Sequence, residues 1–280
     1  MFVGGGYISF EFAHLAARAG ARATILHRSA RPLRGFDPDL VSRLVQRTRE
    51  IDIRVELETG VQGIEKVANG LIVRTSKVGQ KETFETEMVV HGAGRVPDID
   101  ELDLAAAGIE RGRQGIRVNE YLQSVSNPAV YAAGDAVAAG PPLTPVSAHD
   151  GRVVAENLLK GNQRQPNYTG VPSVVFTIPP LATVGLHEDT ARRRNLRFRV
   201  HHDDTTSWYS SRRVAEACSG FKVLIEEDTE RILGAHLLGS QADELINLFA
   251  FAIRTDSRVG DLRDTMFAYP SHASDVSYML

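Results

Sequence analysis

Apolar runs alternate with glycine and charge along the first thirty residues in an order that predicts their fold. Met1-Phe2-Val3 reads as the stub of an apolar strand and Gly4-Gly5-Gly6 as a turn. Phe10, Glu11, Phe12, Leu15 and Ala16 then follow with helical periodicity up to Gly20. Beyond that glycine, Ala23-Thr24-Ile25-Leu26 predicts a second strand. Phe84 to Val90 predicts another, closed by the glycine- and proline-rich turn His91-Gly92-Ala93-Gly94-Arg95-Val96-Pro97. From about Pro166 the pattern changes to alternating strands and a terminal helix. In that helix Leu245, Leu248, Phe249, Ala252 and Ile253 have amphipathic spacing, which is also what plain core would show.

A glycine turn between a strand and a helix is a seat for phosphate. In a dinucleotide fold Gly4 makes the tight turn and Gly6 lets the backbone approach a pyrophosphate. A small third residue, here Ser9, permits close helix–strand packing, and the phosphate rests on the helix N-terminus. The same pattern also describes an ordinary turn before an amphipathic helix, so the second strand has to decide. An NAD-specific protein places an acidic residue at its end to hold the ribose 2′-hydroxyl. This chain has His27-Arg28-Ser29-Ala30-Arg31-Pro32-Leu33-Arg34 instead. Guanidinium forks suit the oxygens of a 2′-phosphate, and the position predicts NADPH, with a solvated basic loop as the alternative.

Composition narrows this picture without altering it. The 280 residues are 42% hydrophobic and 24% charged, an ordinary globular composition, and at ~150 residues per domain they make about two domains. With 32 basic and 35 acidic side chains the net charge is -3, which gives no reason to expect nucleic acid. No stretch reaches the ~18 uncharged apolar residues of a membrane span, and the N-terminus lacks signal-peptide zoning, so a cytoplasmic chain off the membrane is expected. The single cysteine, Cys218, excludes an internal disulfide, a Cys-x-x-Cys redox pair and a cysteine zinc site, and fits a reducing compartment. His201-His202-Asp203-Asp204 has metal-ligand residue types, yet neighbours in a strand face opposite ways, and no metal site is assigned.

With these residues in hand, the chain resembles the flavoprotein disulfide reductases, the family of glutathione reductase, mercuric reductase and dihydrolipoamide dehydrogenase. The resemblance runs almost to the C-terminus. It implies an α/β and α+β architecture: a Rossmann-like NAD(P)-binding domain over 1–96, the C-terminal part of an FAD-binding domain over 97–165, and an α+β dimerisation domain over 166–280. It also implies FAD and NADPH as cofactors and a set of site residues. Gly4, Gly6 and Ile8 belong to the dinucleotide turn, Tyr7 covers the nicotinamide pocket, and Glu11 pairs with a lysine beside the flavin. Arg28 and Arg34 select NADPH, Arg31 has no assigned role, and Gly94-Arg95 touches cofactor phosphate or ribose. Val130-Tyr131-Ala132-Ala133-Gly134-Asp135-Ala136 resembles a short buried strand in which Gly134 admits the flavin chain and Asp135 bonds the ribityl hydroxyls. A capping or turn acid is the plain alternative for Asp135. Leu143-Thr144-Pro145 and the helix from Ala148 to Leu159 resemble the element aimed at the flavin pyrimidine ring, where a helix dipole favours the anionic reduced form.

The pattern breaks near the end. The family's acid/base histidine falls on Tyr269 and its orienting glutamate on Ser274, and a phenol of pKa near 10 is a poor proton donor at neutral pH. His272, three residues on, is a substitute candidate or simply an exposed turn histidine. The redox Cys-x4-Cys and the first FAD motif do not occur. The expectation is an NADPH-dependent, FAD-containing oxidoreductase without those parts: a truncated gene product, a misassigned start, or half of a split protein with a separate N-terminal FAD-binding chain. Such a chain homodimerises through 166–280, alone binds NADPH weakly and FAD poorly or not at all, and delivers electrons to a quinone, a metal ion, oxygen or another electrophile. A non-catalytic nucleotide-binding and dimerisation module, or an inert gene fragment, is the competing expectation.

Overall fold

A computed structural model describes all of residues 1–280. Residues 1–94 and 172–280 gather into one compact unit and residues 95–171 into a second.

The first stretch runs β1 (Phe2–Val3), α1 (Tyr7–Arg18), β2 (Thr24–Leu26), α2 (Pro38–Glu50), β3 (Arg54–Glu56), β4 (Thr59–Val67), β5 (Gly70–Lys77), β6 (Gln80–Thr86) and β7 (Val90–His91). The order β3-β2-β1-β7 makes a parallel sheet in which Phe2 is level with Ile25 on one side and Val90 on the other. Strands β4, β5 and β6 form an antiparallel meander. The run from Phe84 to Val90 therefore divides between two sheets instead of forming one strand. Its charged half, ending at Thr86, alternates outward on the meander, and the apolar Val90 enters the parallel sheet.

Helix α1 buries Ser9, Phe10, Ala13 and His14, while Phe12 and Leu15 are 54% and 58% exposed, so the apolar face read from the sequence is rotated. A buried histidine sets this orientation. The Thr48 hydroxyl donates to the Leu44 carbonyl at 2.7 Å, so its oxygen receives the proton of His14 Nε2 at 3.1 Å, and His14 Nδ1 accepts the Ile178 N–H at 3.2 Å. Both ring nitrogens are satisfied only in the neutral form. Burial, aided by Arg47, pushes the His14 pKa down to about 4. Asp37 caps α2 by accepting from the N–H groups of Asp39 and Leu40, and Leu40, Val41, Leu44 and Val45 face inward.

The second unit is sparer. It holds a short 3-10 turn at Asp100–Leu102, the hairpin β8 (Arg111–Gly112) and β9 (Gly115–Ile116), a 3-10 turn at Gly134–Ala136, and α3 (Thr144–Lys160), with Ile99, Leu104 and Ile116 forming a small core. Val130–Ala133 does not form the expected buried strand: Tyr131 makes only an isolated bridge to Gln123, and the run is half-buried. Gly134, at φ +64°, turns the chain out of the extended conformation before a ladder can grow.

The remainder comprises β10 (Ser173–Val175), β11 (Leu181–Gly185), α4 (Glu188–Arg193), β12 (Phe198–Asp204), α5 (Tyr209–Arg213), β13 (Gly220–Glu226), β14 (Ile232–Leu238), α6 (Ala242–Thr255) and α7 (Val259–Arg263), then a 3-10 segment at His272–Tyr278. The five strands make an antiparallel sheet in the order β10-β11-β14-β13-β12. Ile246 and Phe249 of α6 are fully buried against it, and each such side chain contributes about 1.5–3 kcal/mol. Val175, Leu181, Cys218 and Leu238 pack into the same core as Phe2, Phe10, Ile25 and Leu44, which joins this sheet to the first stretch. No helix is long and apolar enough to cross a membrane.

Candidate nucleotide site

Gly4 has φ +114°, and a Cβ there would run into the Gly92 carbonyl and Ala93. At Gly5 a Cβ would strike the His27 ring and Pro32. Gly6 differs: the nearest atom to a Cβ there is 3.8 Å away, so its outer side is open. Gly6 is the N-cap of α1, with no side-chain cap and no acid in the first turn. The positive end of the helix, carrying Tyr7 and Ile8, therefore has no negative side chain to neutralise it. Tyr7 is 39% exposed. Ser9, larger than a dinucleotide turn prefers, fits because residue 92 is glycine: a Cβ on Gly92 would collide with Ser9 Oγ. That buried hydroxyl has no hydrogen-bond partner. An open glycine beside an uncapped helix end is a shape and polarity that fit a pyrophosphate.

At the end of β2, Arg28, Arg31 and Arg34 are exposed. The Leu33 N–H donates to Gly5 O at 2.8 Å, which ties their loop to the glycine turn. Burial lowers the His27 pKa. The Arg31 carbonyl opposes this shift, and the charges of Arg34 and Arg28 add to it. Arg34 donates to Ser29 Oγ at 3.0 Å and Arg31 to the Arg34 carbonyl at 3.4 Å. Glu11, on α1, accepts the Phe176 N–H at 2.9 Å.

A buried ion network that the sequence reading missed supports this loop from behind. Lys222, 3% exposed, reaches Asp37 at 2.9 Å, Asp39, and Glu188 at 3.7 Å, and Asp37 itself is 1% exposed. Burial pulls the lysine pKa down, but the hydrogen bonds to Asp37 and Asp39 outweigh it and the net shift is upward. The available signal was a lysine inside the otherwise apolar run Phe221 to Ile225.

Gly94, at φ +113°, has open space around it. Arg95 pairs with Asp135 at 3.2 Å, both side chains about half exposed, so two residues expected at different cofactors meet each other. Gly134 packs so tightly on Ser147 that a Cβ would collide, and its N–H donates to the buried Asp150 at 3.3 Å. Tyr168 donates its hydroxyl to the other Asp150 oxygen at 3.1 Å, and burial followed by that carboxylate raises the phenol pKa. Asp150 was also missed, although it interrupts the buried stripe Val146, Val153 and Asn157 at helical spacing. Leu143 is the N-cap of α3 and Thr144-Pro145 opens it, with neither a side-chain cap nor a first-turn acid. A left-handed glycine, a half-exposed carboxylate and an uncapped helix fit the hydroxyl-rich and electron-accepting parts of a flavin.

Tyr269 is 79% exposed and stacks on Tyr209 at 6.5 Å, while Ser274 Oγ donates to Ser271 O at 2.6 Å. His272 is half-buried instead of lying free in a turn. Its Nε2 is enclosed without a partner, and burial lowers its pKa. The Ser210 hydroxyl donates to Asp275. Cys218 is buried, and its thiol is pushed up to about 11 by burial first and Glu216 second.

Residues 1–151 match the pyridine nucleotide-disulphide oxidoreductase family, and residues 171–279 match that family's dimerisation domain. The chain belongs to this family. An uncharacterized 19.7 kDa protein in a mercuric resistance operon of Staphylococcus aureus is 49% identical over 180 residues, which is 64% of this chain and all of that protein. Mercuric reductase of Bacillus cereus is 31% identical over 95% of this chain and 42% of its own length, and glutathione reductase of Burkholderia cepacia is 30% identical over 98% and 60%. The Cu(II) complex of the HOCl-induced flavoprotein disulfide reductase RclA from Escherichia coli has a TM-score of 0.90 at 26% identity, covering 99% of this chain and 62% of that one. The chain thus spans about half the length of the reductases it matches. Members of the family use FAD and NAD(P)H.

Proposed function

We propose that the chain holds NADPH and presents it to a flavin as part of an NADPH-dependent oxidoreductase. One observation carries this reading: the open, uncapped N-terminus of α1 lies in the same fold unit as a loop bearing Arg28, Arg31 and Arg34, tied to Gly5. Gly4, Gly6 and the first turn of α1, with Ile8, seat the pyrophosphate. Arg28 and Arg34 take the 2′-phosphate, Tyr7 screens the nicotinamide end, and Gly94-Arg95 adds an unobstructed glycine and a cation. Gly134, Asp135 and the start of α3 at Leu143-Thr144-Pro145 receive the riboflavin part of FAD, where the carboxylate accepts from hydroxyls and the helix end favours negative charge. When bound, NADPH supplies a hydride and FAD accepts it.

The division into 1–96, 97–165 and 166–280 belongs to the same reading. A second copy docks on 166–280, where Phe251, Met266 and Tyr278 stand exposed. The electron acceptor is one that needs no thiol from this chain. The nucleophile in disulfide chemistry is a thiolate, and Cys218 is buried with a raised pKa. The mercury-related names of several relatives favour a metal ion among the acceptor classes.

The test is spectroscopic. The chain mixed with excess FAD and then NADPH, without oxygen, bleaches the visible flavin band at a rate that rises with the concentration of both, as weak binding of each requires, and does so faster than with NADH. A band that persists while NADPH binds leaves a nucleotide-binding and dimerisation module, and failure to bind NADPH removes the reading.

A further inference from the structure

Two helix N-termini of the chain, those of α1 and α3, have neither a side-chain cap nor an acid in the first turn. The proposed function uses both, the first for the NADPH pyrophosphate and the second for the flavin ring. Asp37 caps α2, acids occupy the first turns of α4, α6 and α7, and α5 is barely longer than one turn. FAD carries a pyrophosphate of its own between riboflavin and adenosine, and no third open helix end is left to seat it. That assigns the adenylate half of FAD to another polypeptide. The reductases this chain matches have, beyond the part it spans, length enough for one more nucleotide-holding domain.

A face that fits such a partner lies along α1. Phe12 and Leu15 are three residues apart and share a stripe with Ile8, and both stand exposed. Phe176 and Ile178 widen the stripe: they are exposed and alternate with the buried Val175 and Thr177. Glu11 accepts the Phe176 N–H at 2.9 Å and His14 Nδ1 the Ile178 N–H at 3.2 Å, so α1 holds this segment at two points and its backbone donors are satisfied. What the face offers is therefore apolar, in a fixed arrangement, and exposed apolar clusters mark interaction sites.

We infer that Phe12, Leu15, Phe176 and Ile178 form the docking face for a separate polypeptide that holds the adenylate half of FAD, an inference that rests on the NADPH and flavin reading of the preceding subsection. Phe12 is five residues from Tyr7, about 8 Å along the axis at ~1.5 Å per residue. A partner seated on this face thus abuts the end of α1 where the nicotinamide is screened, and hydride transfer requires the flavin there. The face of a second copy, around Phe251, Met266 and Tyr278, belongs to other elements.

The experiment places a photo-crosslinking phenylalanine analogue at position 12 of the full, tagged chain in the cells that make it. Illumination is expected to join the chain to one polypeptide which, identified by mass spectrometry, has its own glycine turn before a helix. Without illumination the chain should bring down that polypeptide and FAD in equal amounts. Phe12→Asp and Leu15→Asp should each lower the co-isolated FAD about tenfold or more, with NADPH binding and circular dichroism unchanged. Val78→Asp charges an exposed apolar residue at the turn between β5 and β6 and is expected to change nothing. A crosslink to a second copy, no crosslink, or FAD retained by both Asp variants would overturn the inference. So would one FAD held through gel filtration by the chain alone, a result that leaves the NADPH reading standing. Failure to bind NADPH, with the crosslink and the co-isolated FAD as expected, removes that reading and keeps the docking face.

Discussion

Gly4 with α1 and Gly134 with α3 are the same backbone device used twice: a left-handed glycine followed by a helix whose N-terminus no side chain caps. Their surroundings differ in charge and in how they are held. Around Gly4 the exposed charges are arginines with no carboxylate partner, and the loop is supported by a buried lysine that arrives from β13. Around Gly134 the exposed charge is Asp135, paired with Arg95, and the support is Asp150 from the adjoining helix. The first arrangement suits a phosphate, the second a polyol. The contrast teaches that the glycine turn sets only how closely a ligand backbone approaches, while the side chains at the rim set which ligand it is.

The support of the two turns is where the comparison is most easily broken. Lys222→Met leaves Asp37 buried and unpaired, and is expected to cost about 3–5 kcal/mol in urea unfolding. A cost under about 1 kcal/mol would mean that the Asp37 cap holds the arginine loop without the lysine. Acid provides the next effect, and it acts on the first turn through α1. His14 is neutral in the folded chain down to a pKa of about 4, whereas an unfolded histidine takes up its proton near pH 6.5. Between these values the unfolded state binds more protons, so stability is complete above about pH 6.5 and falls as the pH drops towards 4, by about 3 kcal/mol. His236, lowered in the same sense, steepens the fall. Urea midpoints measured across this range should begin to drop near pH 6.5, before carboxylates protonate; a midpoint that is flat down to pH 5 contradicts a buried neutral His14. The smallest effect belongs to the second turn. Asp150→Ala frees the Gly134 N–H and the Tyr168 hydroxyl and is expected to cost about 1–3 kcal/mol, with the tyrosine titrating closer to its ordinary range as a second readout.

Legibility in the sequence followed the range of the interactions. The β1-α1-β2 order, the glycine turn and the arginine loop depend on neighbours within a few residues, and could be read directly. The inward face of α1 could not, because Ser9 is accommodated by Gly92 and His14 is satisfied by Thr48 and Ile178. The Phe84–Val90 run looked like one strand because periodicity carries no information about a change of sheet. Lys222 and Asp150 were hidden for the same reason: a buried charge is explained only by the partner it meets in space. The half-burial of His272 depends on packing that the local sequence does not encode.

The central claim is that the exposed arginines at the end of β2 recognise a 2′-phosphate. The most direct measurement is the ratio of NADH to NADPH dissociation constants for the unsubstituted chain and for the double variant Arg28→Ala with Arg34→Ala. The account predicts a clear preference for NADPH that the double variant abolishes, through a loss of about tenfold or more in NADPH affinity with NADH unchanged. Equal weakening of both nucleotides, or a preference that survives the substitutions, would contradict it.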